Sequence, residues 1–259
     1  KSAEIQFLTP VSSSQMVDGV LDGHNIGEYL DPNHVKHEEQ IKQHKDRYVM
    51  PEWFYKVTPD RKPLKIAPDM ELGFWVIDFP WYSLGMPQYI ALDLRLVEKL
   101  RDLVDLMRAD GYTIARLVPI YGFRPPSFNL GKIQQENSTT LKVPFSMHQY
   151  GRAADLIVDE DGDGKLDDLN RDGKIDVHDA AVIMHYINIL DRTYRKEGRM
   201  DMVGGAGLYT HNDFLERAQA IGQTPYVHVD TRGFLEDDGS LVRWPAQWPN
   251  GEPIPWGKL

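Results

Sequence analysis

Between Asp155 and Asp179 the chain sets ten acidic residues against three basic ones, Lys165, Arg171 and Lys174. Carboxylates at that density repel one another unless something positive sits among them. Their order is that of two ion-binding loops. Asp159-Glu160-Asp161-Gly162-Asp163-Gly164-Lys165-Leu166-Asp167 follows the D-x-[DN]-x-D-G pattern of a calcium loop. Asp168-Leu169-Asn170-Arg171-Asp172-Gly173-Lys174-Ile175-Asp176-Val177-His178-Asp179 follows it again. Side-chain oxygens at the first, third and fifth positions converge because the glycine at the sixth permits a sharp turn. Lys165 and Lys174 then offer backbone carbonyls, Asp167 and Asp176 follow two residues on, and Leu166 and Ile175 supply the apolar contact. The second loop closes on Asp179 and runs into a helix; the first has Asn170 at the closing position. The loops share Asp168 to Asn170, so no helix fits between them and paired EF-hands are excluded. The expectation is a compact tandem calcium insertion at about 159–179 that folds one wall of a cleft.

The insertion holds most of the formal charge of −10, so the acidity is local. A balance of that sign argues against a nucleic-acid binder, which needs a basic face. Hydrophobic residues make up 41% of 259, enough for a sizeable core. The chain has no cysteine, so disulfides and thiolate metal sites are excluded and any zinc must use His and carboxylate. No apolar run approaches the length of a membrane span. No signal peptide is visible, and the expectation is that any leader or anchor lies upstream of Lys1.

Residues 1–87 are rich in proline, aromatics and turn formers and read as an extension packing on a domain at 88–259. His24, His34, His37 and His44 lie in the extension, the last three in a polar run, Asn33 to Arg47, that reads as a solvated helix or arm. Trp53-Phe54-Tyr55, Leu64 to Ile66 and Phe74 to Ile77 read as short strands or core-packing segments. Leu96, Leu100, Leu103 and Met107 recur at helical spacing, which predicts a helix over Asp93 to Ala109 with Asp93 as N-cap and Gly111 beyond its end. Strands are expected at Thr113 to Ile120, Ala153 to Val158 and Tyr226 to Thr231. Helices are expected at Asp179 to Lys196 and near Asn212 to Ile221, with a tight turn at Gly204 to Gly207. Strands mixed with helices and no βαβ repeat predict an α+β fold, an antiparallel sheet flanked by helices.

The segment Ser146-Met147-His148-Gln149-Tyr150-Gly151-Arg152-Ala153-Ala154-Asp155 has the form S-x-H-x-x-G-x-A-x-D. It puts His148 in a turn and Asp155 on the following strand, with Gly151 reversing the chain between them. Near the C-terminus, Val227-His228-Val229-Asp230 offers a second histidine, and alternation puts Asp230 on its face. Two imidazoles and one carboxylate leave a fourth tetrahedral position open to water, the pattern of a hydrolytic zinc site.

These pieces resemble the zinc D-Ala-D-Ala metallopeptidase family of murein carboxypeptidases and endopeptidases, whose fold is related to the hedgehog signalling domain. The resemblance covers about residues 88–244. It rests on Tyr121-Gly122-Phe123-Arg124 with Asn129, on Ser146 to Asp155, on Gly204 to Tyr209, and on Tyr226-Val-His-Val-Asp-Thr-Arg232 running on to Arg243-Trp244. It implies His148, Asp155 and His228 as zinc ligands, Arg124 as the arginine that binds substrate or an oxyanion, and peptidoglycan peptides as substrate. With resident calcium, it also implies an extracytoplasmic location. One departure stands out: many members place Glu or Asp three residues before the second ligand histidine as general base, and this chain has Pro225. Asp230 is the nearest replacement, or else it orients a ligand imidazole; His211 and Asp213 are further candidates. The alternatives are a non-catalytic cell-wall-binding module that keeps both metals, and a zinc hydrolase of ordinary peptides or amides.

Overall fold

The computed structural model describes residues 8–34, 39–67, 70–79, 82–129, 144–209, 225–244 and 252–254. The expected helix near Asn212 to Ile221, His37, and the candidate bases His211 and Asp213 lie outside them.

The fold is α+β. Among the described residues its central sheet has five strands: β1 (Arg116–Tyr121), β2 (Ala153–Asp159), β3 (Ala206–Tyr209), β4 (Tyr226–Asp230) and β5 (Arg243–Trp244), in the order β1-β2-β4-β3-β5. All pairings are antiparallel except β3 with β5, which departs from a purely antiparallel sheet. The expected tight turn before Leu208 is shorter than predicted, since β3 already starts at Ala206. Every residue of β2 and β4 is buried. These strands are covered on both faces, which is why their alternation is weak in sequence.

Two long helices support the sheet. Helix α1 (Leu94–Ala109) buries Leu96, Leu100, Leu103 and Met107, and Asp93 caps it by accepting the Arg95 amide, a device worth roughly 1 kcal/mol. Gly111 follows with φ +95°, a left-handed value that suits a residue without Cβ. Helix α2 (Val177–Lys196) begins earlier than expected because Asp176, and not Asp179, is the cap. Asp179 sits inside the helix as the second half of a capping box. Val227 and Val229 of β4 share one hydrophobic core with Leu100 of α1 and Ile187 of α2.

The N-terminal residues are built into this core. Pro10–Ser12 and Trp53–Val57 pair with each other, and Trp53–Val57 pairs with Gln88–Ile90, so a second small sheet crosses residue 87. Phe74 to Ile77 is buried as expected, but Leu72–Trp75 forms a 3-10 turn and not a strand. The polar run from Asn33 resolves into Pro32–His34, Glu39–Gln43 and Lys45–Arg47, three short helical turns. Among the described residues no helix is long and apolar enough to cross a membrane.

Candidate metal centre

Three local devices bring His148, Asp155 and His228 together. Asp155 and His228 are register partners on β2 and β4, so the sheet sets their separation. His148 arrives from outside the sheet, on the 3-10 turn Met147–Tyr150. Gly151 ends that turn at φ +67°, and a Cβ there would stand 2.5 Å from the Ala91 backbone, so only glycine lets the chain reverse at this point. The third device is a bulge in β1 between Pro119 and Tyr121, which turns the strand end and leaves the Gly122 carbonyl facing the histidine.

Each imidazole is held by its far nitrogen. His148 Nδ1 lies 2.7 Å from the Gly122 oxygen. A carbonyl only accepts, so Nδ1 carries the proton and Nε2 presents its lone pair. His228 Nε2 donates to Asp230 Oδ2 at 3.1 Å, which turns Nδ1 toward the centre. The facing atoms are then His148 Nε2, His228 Nδ1 and Asp155 Oδ1. Their separations are 3.2 Å between the nitrogens, 3.2 Å from His148 to Asp155 and 2.8 Å from His228 to Asp155. Ligands about 2.0–2.1 Å from a tetrahedral zinc stand roughly 3.3 Å apart, so this triangle closely matches one face of that tetrahedron. All three residues are buried. The donor set fits a zinc ion in both chemistry and size.

The electrostatics give the same picture. Burial and the nearby Arg124 charge push His148 down to about 4, so it is neutral at ordinary pH. Burial opposes ionisation of Asp155, but the two histidines outweigh it and hold the carboxyl well below its usual range. Burial likewise opposes charge on His228, and there Asp155 and Asp230 prevail and raise it. Three acceptors facing one another call for a cation.

Asp230 is fully buried and saturated. Its Oδ1 accepts the amides of Gly205 at 2.7 Å and Arg232 at 3.0 Å, and its Oδ2 accepts His228 Nε2 and the Arg232 guanidinium at 2.6 Å. Arg124 is 8% exposed; it donates to Ser146 Oγ at 3.0 Å and lies over the Tyr121 ring, and its buried Nε has no hydrogen-bond partner. The position three before His228 is Pro225, which no proton can use. Sequence reasoning missed the Gly122 carbonyl and Trp244, whose ring lies 5.1 Å from His228. It also missed Lys99, which donates to the Asp230 carbonyl at 2.9 Å. Gly122 and Trp244 lie in the quoted motifs, but their roles, like that of Lys99, come from contacts made through the fold.

The acidic insertion is only partly gathered. Asp159, Asp161 and Asp167 of the first loop bring carboxylate oxygens within 4.8 Å of one another. Burial and the charges of Asp161 and Asp159 raise Asp167, the strain of crowded carboxylates. Asp163 instead pairs with the Lys165 ammonium at 2.6 Å. In the second loop, the oxygens of Asp168, Asn170 and Asp172 accept backbone amides of Asp172, Gly173 and Lys174. Asp179 accepts the amides of Asn170 and Asp176, and the Asp176 oxygen accepts that of His178. The first loop makes bonds of the same kind, the oxygens of Asp159, Asp161 and Asp163 accepting the amides of Gly162, Gly164, Asp163 and Lys165.

No protein-family model matches the chain, and no curated protein matches it. Among solved structures it is similar to a variant of the vancomycin-resistance D,D-pentapeptidase VanY from a VanB-type resistance cassette, in complex with Zn(II). That match covers 60% of this chain and 80% of that one at 16% identity, with a TM-score of 0.27.

Proposed function

We propose that the chain is a zinc-dependent hydrolase of peptide bonds in bacterial peptidoglycan, with His148, Asp155 and His228 as the metal ligands. The observation that carries the metal is the convergence of three acceptor atoms whose far sides are already occupied by Gly122 and Asp230. Zinc held there would supply Lewis acidity and make a water nucleophilic near neutral pH. The substrate class comes from the sequence resemblance, together with the extracytoplasmic location it implies.

The residues divide the remaining work. Arg124 offers a largely buried guanidinium, held by Ser146 and over the Tyr121 ring, to bind a substrate carboxylate or the oxygen of a polarised carbonyl. Asp230 orients His228 in this reading and is not the general base, because its oxygens already accept from His228, Arg232 and Gly205. Calcium is assigned to both loops of the insertion, and Asp159, Asp161 and Asp167 of the first bring carboxylate oxygens within 4.8 Å of one another. A second reading, a wall-binding module that keeps its metals without catalysis, is favoured by Pro225 at the place of the family base.

The test is digestion of purified peptidoglycan with and without a zinc chelator, beside His148→Ala, with calcium in excess and products read by mass spectrometry. Chelator-sensitive fragments that the variant does not produce support the hydrolase and name the bond. A folded, zinc-loaded protein that binds sacculi and releases nothing transfers the conclusion to the binding module.

A further inference from the structure

A buried ion pair lies behind the metal centre. Lys99 on α1 is 1% exposed and Asp191 on α2 is fully buried. The ammonium's three protons are all placed. They reach Asp191 Oδ1 at 2.6 Å, the Met202 carbonyl at 3.2 Å and the Asp230 carbonyl at 2.9 Å. Asp191 also accepts the Gly204 amide at 3.2 Å and the Arg243 guanidinium at 2.6 Å. Arg243 closes the ring by donating to the Gly204 carbonyl at 3.0 Å.

The ring surrounds one residue. A Cβ on Gly204 would lie 1.6 Å from the Asp230 carbonyl oxygen, so the two main chains are in contact. The next residue, Gly205, donates its amide to Asp230 Oδ1. The Asp230 backbone is thus clamped between Lys99 and the Gly204 turn, while its carboxylate holds His228. Stability alone is a poor reason for such a pair. Burying an ammonium is costly, and an apolar replacement for a buried ion pair is often neutral or better. What an ammonium does and a methyl group does not is fix two carbonyls at defined distances.

We propose that Lys99, with Asp191, is a positioning residue for the metal centre, acting through the Asp230 main chain to set the His228 imidazole. The inference rests on the metal-centre reading. It adds that a helix on the far side of the sheet tunes metal affinity without touching the ion.

The experiment measures zinc affinity by chelator competition, and the visible spectrum of the cobalt-substituted protein, for wild type, Lys99→Met, Lys99→Gln and a control, Leu100→Ala. Lys99→Met leaves Asp191 paired with Arg243, so no carboxylate is orphaned. The expected result is a loss of roughly 10- to 100-fold in zinc affinity for Lys99→Met, the range usual for outer residues of a metal site. Lys99→Gln should fall between it and wild type, and both should show a changed cobalt spectrum. Leu100→Ala removes core volume on the same helix and should lower the melting temperature with affinity and spectrum unchanged. Folded Lys99 variants that bind zinc within twofold of wild type overturn the proposal. So does failure of both variants to fold, which would make the pair a requirement of the fold. A wild-type protein that binds no zinc overturns the metal centre itself.

Discussion

Asp155 and His228 face each other across the two central strands, with Asp155 Oδ1 2.8 Å from His228 Nδ1. Two of the three donors are therefore placed by sheet register, and one residue of slip in either strand would send its side chain to the opposite face and part the pair. The third donor, His148, comes from a short turn. Replacing His148 by Ala should abolish stoichiometric zinc binding and leave the circular dichroism spectrum unchanged. Metal analysis after dialysis checks this.

Asp230→Asn separates two roles. If Asp230 orients His228, the variant should bind zinc roughly 10- to 100-fold more weakly. It should also lose stability, by about 3–5 kcal/mol, because Arg232 is left without its buried partner. If Asp230 were instead the base, zinc affinity would be retained and turnover alone would fall. Chelator competition beside a thermal melt distinguishes the two.

Gly207 lies opposite His228 on β3, and a Cβ there would sit 2.3 Å from the Trp244 ring. Gly207→Ala should push the indole away from its place beside His228 and break its hydrogen bond to Tyr209, 3.0 Å in the native protein. A cost of about 1–3 kcal/mol is expected from overpacking. A shifted tryptophan emission maximum together with a lower melting temperature would show it, and an unchanged spectrum would refute the contact.

Acid sensitivity should appear at Asp93. Burial works against its charge, but Arg95 outweighs it with help from Arg152, and the carboxyl is held below its ordinary value. A depressed carboxylate contributes stability that is present above the unfolded pKa of about 3.9 and is lost as pH falls through the lower folded value. The same group caps α1 and bonds Arg152 at 3.0 Å, next to the turn carrying His148. Asp93→Asn should destabilise the protein at pH 7 and flatten its acid limb below about pH 4. Denaturant melts across pH test the slope, and parallel curves for both proteins would count against it.

Calcium removal should lower the melting temperature, since an ion bound only to the folded state stabilises by mass action, about 2.7 kcal/mol at a hundredfold excess over Kd. Asp161→Asn with Asp167→Asn should make the melt insensitive to chelator. Equal melts for the wild-type protein with and without calcium would leave the insertion a solvated acidic loop.

Much of the local structure is legible in the sequence because the signals are local. The 3.6-residue stripe of Leu96, Leu100, Leu103 and Met107, the Asp93 cap, and the Gly151 reversal between His148 and Asp155 each depend on neighbours a few residues away. Helix α2 starts at Val177, two residues before the expected Asp179, because Asp176 caps it in a capping box with Asp179. In space Asp179 accepts the amides of Asn170 and Asp176, contacts that the spacing of the second loop does not encode.

The sequence by itself determined the donor types, their order along the chain, the absence of thiolates and the two acidic loops, since these follow from residue identity and spacing. Tertiary structure alone decided that His148 Nε2 and His228 Nδ1 are the facing nitrogens. That choice is made by the Gly122 carbonyl and the Asp230 carboxylate on the far side of each ring. It also decided that Lys99 stands behind Asp230. Contacts between residues distant in the chain are set by how strands register and helices pack against them, and no spacing in the sequence encodes that geometry.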